Sequence, residues 1–149
     1  MTEIGFYHLQ RSALEQVLPK LLGKALERGM RVVVLSGSDA RMKALDAVLW
    51  TFDQGSFLPH GTAAGEFAAE QPVYLTTDEE NPNGATLLAL TDGVEPAFLD
   101  GFERCLDLFD GNDSQAVEAA RGRWKRLKDA GHDLTYWQQT AQGGWEKKG

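Results

Sequence analysis

The sequence predicts an α/β domain built on a mostly parallel central sheet flanked by helices. Three observations carry that reading. Strand-like and helix-like segments alternate through the first fifty residues, the pattern of βαβ units. Val32-Val33-Val34-Leu35 is apolar with no polar alternation, as in a strand buried on both faces. At 149 residues, with 42% hydrophobic and 25% charged residues, the chain is long and apolar enough to bury one core.

The elements follow in order. Ile4 to His8 (IGFYH) is a short run of strand formers. Ser12 with Glu15 has capping-box spacing, and Leu14, Val17, Leu18, Leu21, Leu22, Ala25 and Leu26 then recur at helical period. Pro19 falls inside this pattern, so the helix is kinked there or starts later than Ser12. Gly29 is its C-terminal stop. After the Val32–Leu35 strand, Ser38 or Asp39 caps a second helix with Met42, Leu45, Val48 and Leu49 inward. Residues 53–72, rich in Gly and Ala, read as a long loop. Val73 to Thr76 is a strand, and the Asn81-Pro82-Asn83-Gly84 turn leads to Ala85–Leu90 as its hairpin partner. Cys105 to Phe109 is a further strand. Asp113 or Ser114 caps a last long helix that reaches Ala130 and is closed by Gly131. Leu134 to Trp137 is the final strand. Residues 1–138 thus form one domain, and 139–149 are a polar tail, frayed except for Trp145.

Composition narrows the function classes. The longest apolar run is too short to cross a membrane, no signal peptide opens the chain, and the single Cys105 has no disulfide partner within it; a cytoplasmic protein is expected. The net charge of −7 repels nucleic acid, so direct nucleic-acid binding is not expected. The charge is uneven. Residues 1–112 carry 8 Lys/Arg and 17 Asp/Glu, whereas residues 113–149 carry 7 and 5.

Catalytic and cofactor motifs are missing. The turn after the second strand, Leu35-Ser36-Gly37-Ser38-Asp39, has one glycine and no lysine to cradle a phosphate. No Gly-x-Ser-x-Gly elbow is present, and Cys105 reads as a small core residue. His8, His60 and His132 lack the spacing of a metal site. Asp78-Glu79-Glu80 reads as a solvated turn. No catalytic residue, metal or cofactor is therefore assigned.

The last helix is different. Arg121, Trp124, Lys125 and Lys128 follow i, i+3, i+4, i+7 spacing, placing three cations and an indole on one face. Val117, Ala120, Leu127 and the edge of Trp124 form the inward stripe. The arrangement suits an acidic peptide with a bulky apolar residue, since arginine forks onto carboxylate. Stacked bases and phosphates are the rival ligand, and a plain solvated basic face is the alternative to both. A second cluster, Trp50, Phe52, Phe57 and Leu58, surrounds the Ser56-Phe57-Leu58-Pro59-His60-Gly61 loop, where exposed aromatics either join the core or await a partner.

The opening Phe6-Tyr7-His8-Leu9, then Leu45-Asp46-Ala47-Val48-Leu49-Trp50, the Ser56–Gly61 loop and the Arg121–Lys128 helix with Ala130-Gly131 together resemble the chi subunit family of bacterial DNA polymerase III. The resemblance implies a nucleotide-binding-like α/β topology without a phosphate-binding loop and a non-catalytic accessory subunit of the clamp-loader complex. It implies that the acidic C-terminal tail of single-stranded DNA-binding protein docks on the last helix, at Arg121, Trp124, Lys125 and Lys128, with Phe109 or Val117 in the apolar pocket. The best-known relatives have a tyrosine where Trp124 stands. It also implies that Trp50, Phe57, Leu58, Pro59 and His60 meet the psi subunit or another clamp-loader component, with a helicase as an alternative partner. From the residues alone, a small nucleotide-binding enzyme and a direct nucleic-acid-binding module stay open.

Overall fold

The computed structural model describes residues 3–9, 14–51, 60–62, 72–77, 79–81, 83–91, 93–94, 101–139 and 145–147. In chain order the elements are β1 (Glu3–Leu9), α1 (Leu14–Glu27), β2 (Val32–Leu35), α2 (Asp39–Thr51), β3 (His60–Thr62), β4 (Val73–Thr76), β5 (Leu87–Leu90), β6 (Arg104–Asp110), α3 (Ser114–Asp129), β7 (Asp133–Gln139) and β8 (Trp145–Lys147). Among the described residues the strands form one eight-stranded sheet in the order β3-β4-β2-β5-β6-β1-β7-β8. Every pairing is parallel except β7 with β8. The expected α/β class and mostly parallel sheet are what the chain adopts.

Side-chain alternation along the strands divides the core into two layers. Tyr7, Val32, Val34, Leu75, Leu106 and their neighbours pack under α1 and α2. Ile4, Phe6, Val33, Tyr74, Cys105 and Phe109 face the other way, towards Ala120 of α3. The helix ends follow local chemistry. Ser38, not Asp39, caps α2, its Oγ accepting from the Arg41 N–H at 3.1 Å. Asp39 is the first helical residue and pairs with Lys43 at 3.0 Å on the surface. Gly29 and Gly131 both take positive φ, +75° and +93°. Each lets the next residue's N–H reach back into the helix, Met30 to the Ala25 carbonyl and His132 to the Leu127 carbonyl, as in a Schellman close. Pro19 lies within α1, whose first described residue is Leu14; Ser12 lies outside the described residues.

Four expectations are corrected. β4 and β5 are not a hairpin: both pair with β2, one on each side, in parallel. Both are buried at every position, the mark of interior parallel strands and not of a half-exposed hairpin. The Asn-rich connection is instead a crossover without a helix. Asn81 brackets Ala85 through two hydrogen bonds of 2.8 and 2.9 Å, and the Arg31 guanidinium donates to the Asn83 carbonyl at 3.0 Å. Second, the stretch assigned to a loop contains β3, an edge strand parallel to β4. Third, the chain beyond Leu134–Trp137 adds β8, so Trp145 sits on an antiparallel edge strand opposite Gln139. Fourth, Glu80 is not simply solvated: it accepts hydrogen bonds from the Tyr74 and Thr76 hydroxyls. Asp78 lies outside the described residues.

Candidate functional site

The site is assembled where β1, β6 and β7 lie side by side under α3. The turn from β6 into α3 is fixed first. The Gly111 N–H donates to the Leu9 carbonyl at 2.7 Å, and Asp110 accepts from the Asn112 N–H at 2.9 Å. A Cβ on Gly111 would fall 1.8 Å from His8 Cδ2, so glycine is what lets the turn close over the imidazole. Asp113 then caps α3, accepting from the Gln115 N–H at 3.0 Å.

Rotation of α3 is set by an ion pair the sequence did not reveal. Arg123 lies within the basic run but is buried, as is Asp107 of β6. Its Nε and Nη2 donate to the two Asp107 oxygens at 2.7 and 2.9 Å, a forked pair. A buried pair of this kind acts through geometry more than net stability. It leaves Val117, Ala120, Arg121 and Trp124 facing the aromatic end of the sheet.

There they enclose a cleft of about 320 Å³ with Phe6, Phe109 and Tyr136. Trp124 meets Phe6 edge-on at 5.3 Å between ring centres, and Tyr136 edge-on at 6.1 Å. Phe6 and Tyr136 are direct partners across β1 and β7, which is why they share a face. The Tyr136 hydroxyl is held by His8 Nδ1. Burial raises the Tyr136 pKa, and the Arg121 guanidinium draws it back down. Arg121 is three-quarters exposed at the lip, 3.8 Å from an equally exposed Glu118. Such a contact is worth little and leaves the cation available. The cleft therefore combines an aromatic floor, a phenolic hydroxyl and one cation at the rim. It can seat an apolar ring whose neighbouring charge is negative.

The predicted residues distribute as follows. Phe109, Val117, Arg121 and Trp124 line the cleft together. Lys125 and Lys128 are exposed on the same helix and do not line it. Ala120 is buried, and Val117, Trp124 and Leu127 pack against the core as expected of the inward stripe. Phe6 and Tyr136 were not singled out as site residues. Phe6 stood in the quoted β1 motif, but only the β1–β7 register brings Tyr136 beside it. Of the second cluster, Phe52, Phe57, Leu58 and Pro59 lie outside the described residues, as do the side chains of Trp50 and His60. The backbone places Trp50 near the end of α2 and His60 at the start of β3, at the far edge of the sheet.

At the carboxyl ends of β2 and β5, where nucleotide-binding folds hold a phosphate, local bonds are already made. The Ser36 N–H donates to the Thr76 carbonyl at 3.0 Å, and the Thr91 hydroxyl donates to the Leu35 carbonyl at 3.1 Å. Among the described residues no group of three His, Cys, Asp or Glu could hold a metal ion, and no helix is long and apolar enough to cross a membrane.

Comparison with known proteins supplies the family. Residues 1–135 match the family model of the DNA polymerase III chi subunit, HolC. The chain is 32% identical over 137 residues to the DNA polymerase III subunit chi of Pseudomonas aeruginosa, covering 90% of this chain and 94% of that protein. It is 28% identical over 97 residues to the probable DNA polymerase III subunit chi of Rickettsia prowazekii, covering 65% of this chain and 59% of that one. To the subunit chi of Haemophilus influenzae it is 24% identical over 123 residues, 82% of this chain and 85% of that one.

Proposed function

Because the chain belongs to the DNA polymerase III chi subunit family, we propose that it is a non-catalytic adaptor of the bacterial clamp-loader complex, docking the acidic C-terminal tail of single-stranded DNA-binding protein on α3. The observation that supports this most is the cleft between α3 and the sheet. Its Phe6, Phe109, Trp124 and Tyr136 rings fit a terminal phenylalanine, and Arg121 at its lip fits the adjoining carboxylates. Lys125 and Lys128 extend the positive field along the helix towards acidic residues further up the tail.

The psi subunit, another clamp-loader component or a helicase would be held at Trp50, Phe57, Leu58, Pro59 and His60. The backbone of His60 begins β3 at one edge of the sheet, whereas the cleft lies over β6, β1 and β7. The separation suits two partners held at once. Each contact can be modest, about micromolar or roughly −8 kcal/mol. Linkage, and several tails on one single-stranded DNA-binding protein assembly, then raise the effective affinity.

Titration calorimetry tests the tail contact. A short acidic peptide ending in proline and phenylalanine is expected to bind saturably, and the same peptide without phenylalanine is not. Trp124→Ala and Lys125→Glu are expected to weaken it by about tenfold each. Undiminished binding by the peptide that lacks phenylalanine would falsify the assignment of the cleft. The partner surface is checked by Trp50→Ala, which should abolish co-purification with the clamp loader while leaving peptide binding intact.

A further inference from the structure

On the opposite face of the sheet, a second cleft of about 270 Å³ opens between α1 and the β7–β8 edge. Its floor is apolar, with Leu21 and Ala25 of α1 and Leu106 of β6. Its aromatic wall is Tyr7, Trp137 and Trp145: Tyr7 lies parallel to Trp137 at 6.2 Å and meets Trp145 edge-on at 5.0 Å. Tyr7 is buried, while both tryptophans are only half-buried. Three cations, Lys24, Arg28 and Arg104, complete the lining.

The cations need explaining in a chain of net charge −7. None of the three has a carboxylate in ion-pairing distance among the described residues. Lys24 and Arg28 stand one turn apart at the carboxyl end of α1, where a helix tolerates positive charge. That reason does not extend to Arg104, which begins β6 and whose Nε is buried without a hydrogen-bond partner. A buried unpaired donor is costly unless something completes it. Two of the three cations also act on Tyr7: burial raises its pKa, the Arg104 guanidinium lowers it, Glu3 raises it, and Arg28 lowers it to a smaller degree.

We propose that this cleft is a second seat for an acidic peptide bearing a bulky apolar residue, with carboxylates on Lys24, Arg28 and Arg104 and the apolar group against Trp137 and Trp145. The seat deepens the tail-docking reading: one chain would engage two such peptides, one on each face of its sheet. A peptide fits better than a nucleotide. The floor of Leu21, Ala25 and Leu106 is aliphatic and suits an apolar side chain, with the exposed Lys24 and Arg28 beside it for neighbouring carboxylates.

The test is calorimetry on the full chain with a short acidic peptide ending in phenylalanine. Lys24 and Arg28 are exposed, so the double charge reversal Lys24→Glu/Arg28→Glu should keep the fold, checked by circular dichroism. The wild type is expected to bind close to two peptides per chain. Lys24→Glu/Arg28→Glu should remove one and leave the other, and Arg121→Glu should do the converse, each weakening its own seat by about tenfold or more. If Arg121→Glu changes nothing while the α1 reversal abolishes binding, the second seat stands and the α3 cleft falls. One peptide per chain, lost with Arg121→Glu and unaffected by the α1 reversal, overturns the proposal. Binding of a short oligothymidylate that the α1 reversal removes, with no peptide bound there, also overturns it, in favour of a nucleotide.

Discussion

At the scale of single residues, the cleft depends on groups that never touch a ligand. Arg123 and Asp107 form a buried pair in which neither partner is solvated, so removing one strands the other. Arg123→Leu or Asp107→Leu is expected to destabilise by about 3–5 kcal/mol in urea unfolding. The double replacement Asp107→Leu/Arg123→Met should recover most of that loss, yet bind the acidic peptide more weakly because α3 is free to rotate. Full recovery of both stability and affinity would remove the orienting role. Gly111→Ala confronts the His8 ring and the Leu9 carbonyl, the latter 2.8 Å from the added Cβ. The carbonyl cannot turn away as a side chain can, so a loss of about 1–3 kcal/mol is expected. Cys105 makes a pH-dependent contribution. Burial, aided by the Asp107 charge, raises its pKa above the ordinary 9.0. A folded value above the unfolded one gives stability that is complete below pH 9 and falls as pH rises beyond it. Burial raises Tyr7 and Tyr136 in the same sense from 10.0. The urea midpoint of the wild type should therefore decline from about pH 9, and that of Cys105→Ala only from about pH 10.

At the scale of elements, α3 was legible almost to its ends because its signals are local. Asp113 as cap, Gly131 as stop and the Val117, Ala120, Trp124, Leu127 stripe need only the chain's own sequence. Gly131→Ala tests the stop directly: at φ +93° an alanine is strained, and a loss of about 1 kcal/mol is expected in thermal or urea unfolding. The pairing of β4 was not legible. Asn-Pro-Asn-Gly chemistry serves a hairpin and a tight crossover equally well, and only the place of β2 between β4 and β5 decides between them. Short edge strands such as β3 and β8 carry three residues each, too few for an alternation to show. Arg123 was hidden for a related reason. Within a run of cations, the buried one is known only from the carboxylate it meets sixteen residues earlier in sequence.

At the scale of the whole molecule, parallel pairing of β1 with both β6 and β7 gives two outlooks to one strand. Phe6 looks into the α3 cleft and Tyr7 into the α1 cleft. Half of the first cleft's lining could be named from the helix that carries it. On the strands, Phe109 was named only through the family resemblance, and Phe6 and Tyr136 could not be named as site residues, because register is a property of the folded sheet and not of any segment. Charge is also organised at this scale. The excess of acid in residues 1–112 opposes an acidic ligand except where Lys24, Arg28 and Arg104 line the α1 cleft, while the balance of residues 113–149 attracts it. Only charges within about 8 Å act strongly at physiological ionic strength. Added salt therefore screens the local attraction and the wider repulsion together, and the apolar contact is untouched. Raising sodium chloride from about 50 to about 300 mM should weaken the phenylalanine-terminated peptide by roughly three- to tenfold and leave measurable binding. In the Lys24→Glu/Arg28→Glu background, where only the α3 cleft is expected to bind, Arg121→Glu should flatten that dependence, because the cation at the lip of the cleft is gone. A salt response as steep with Arg121→Glu as without it in that background would place the ionic contact elsewhere than Arg121, and loss of all binding at high salt would deny the aromatic cleft its share.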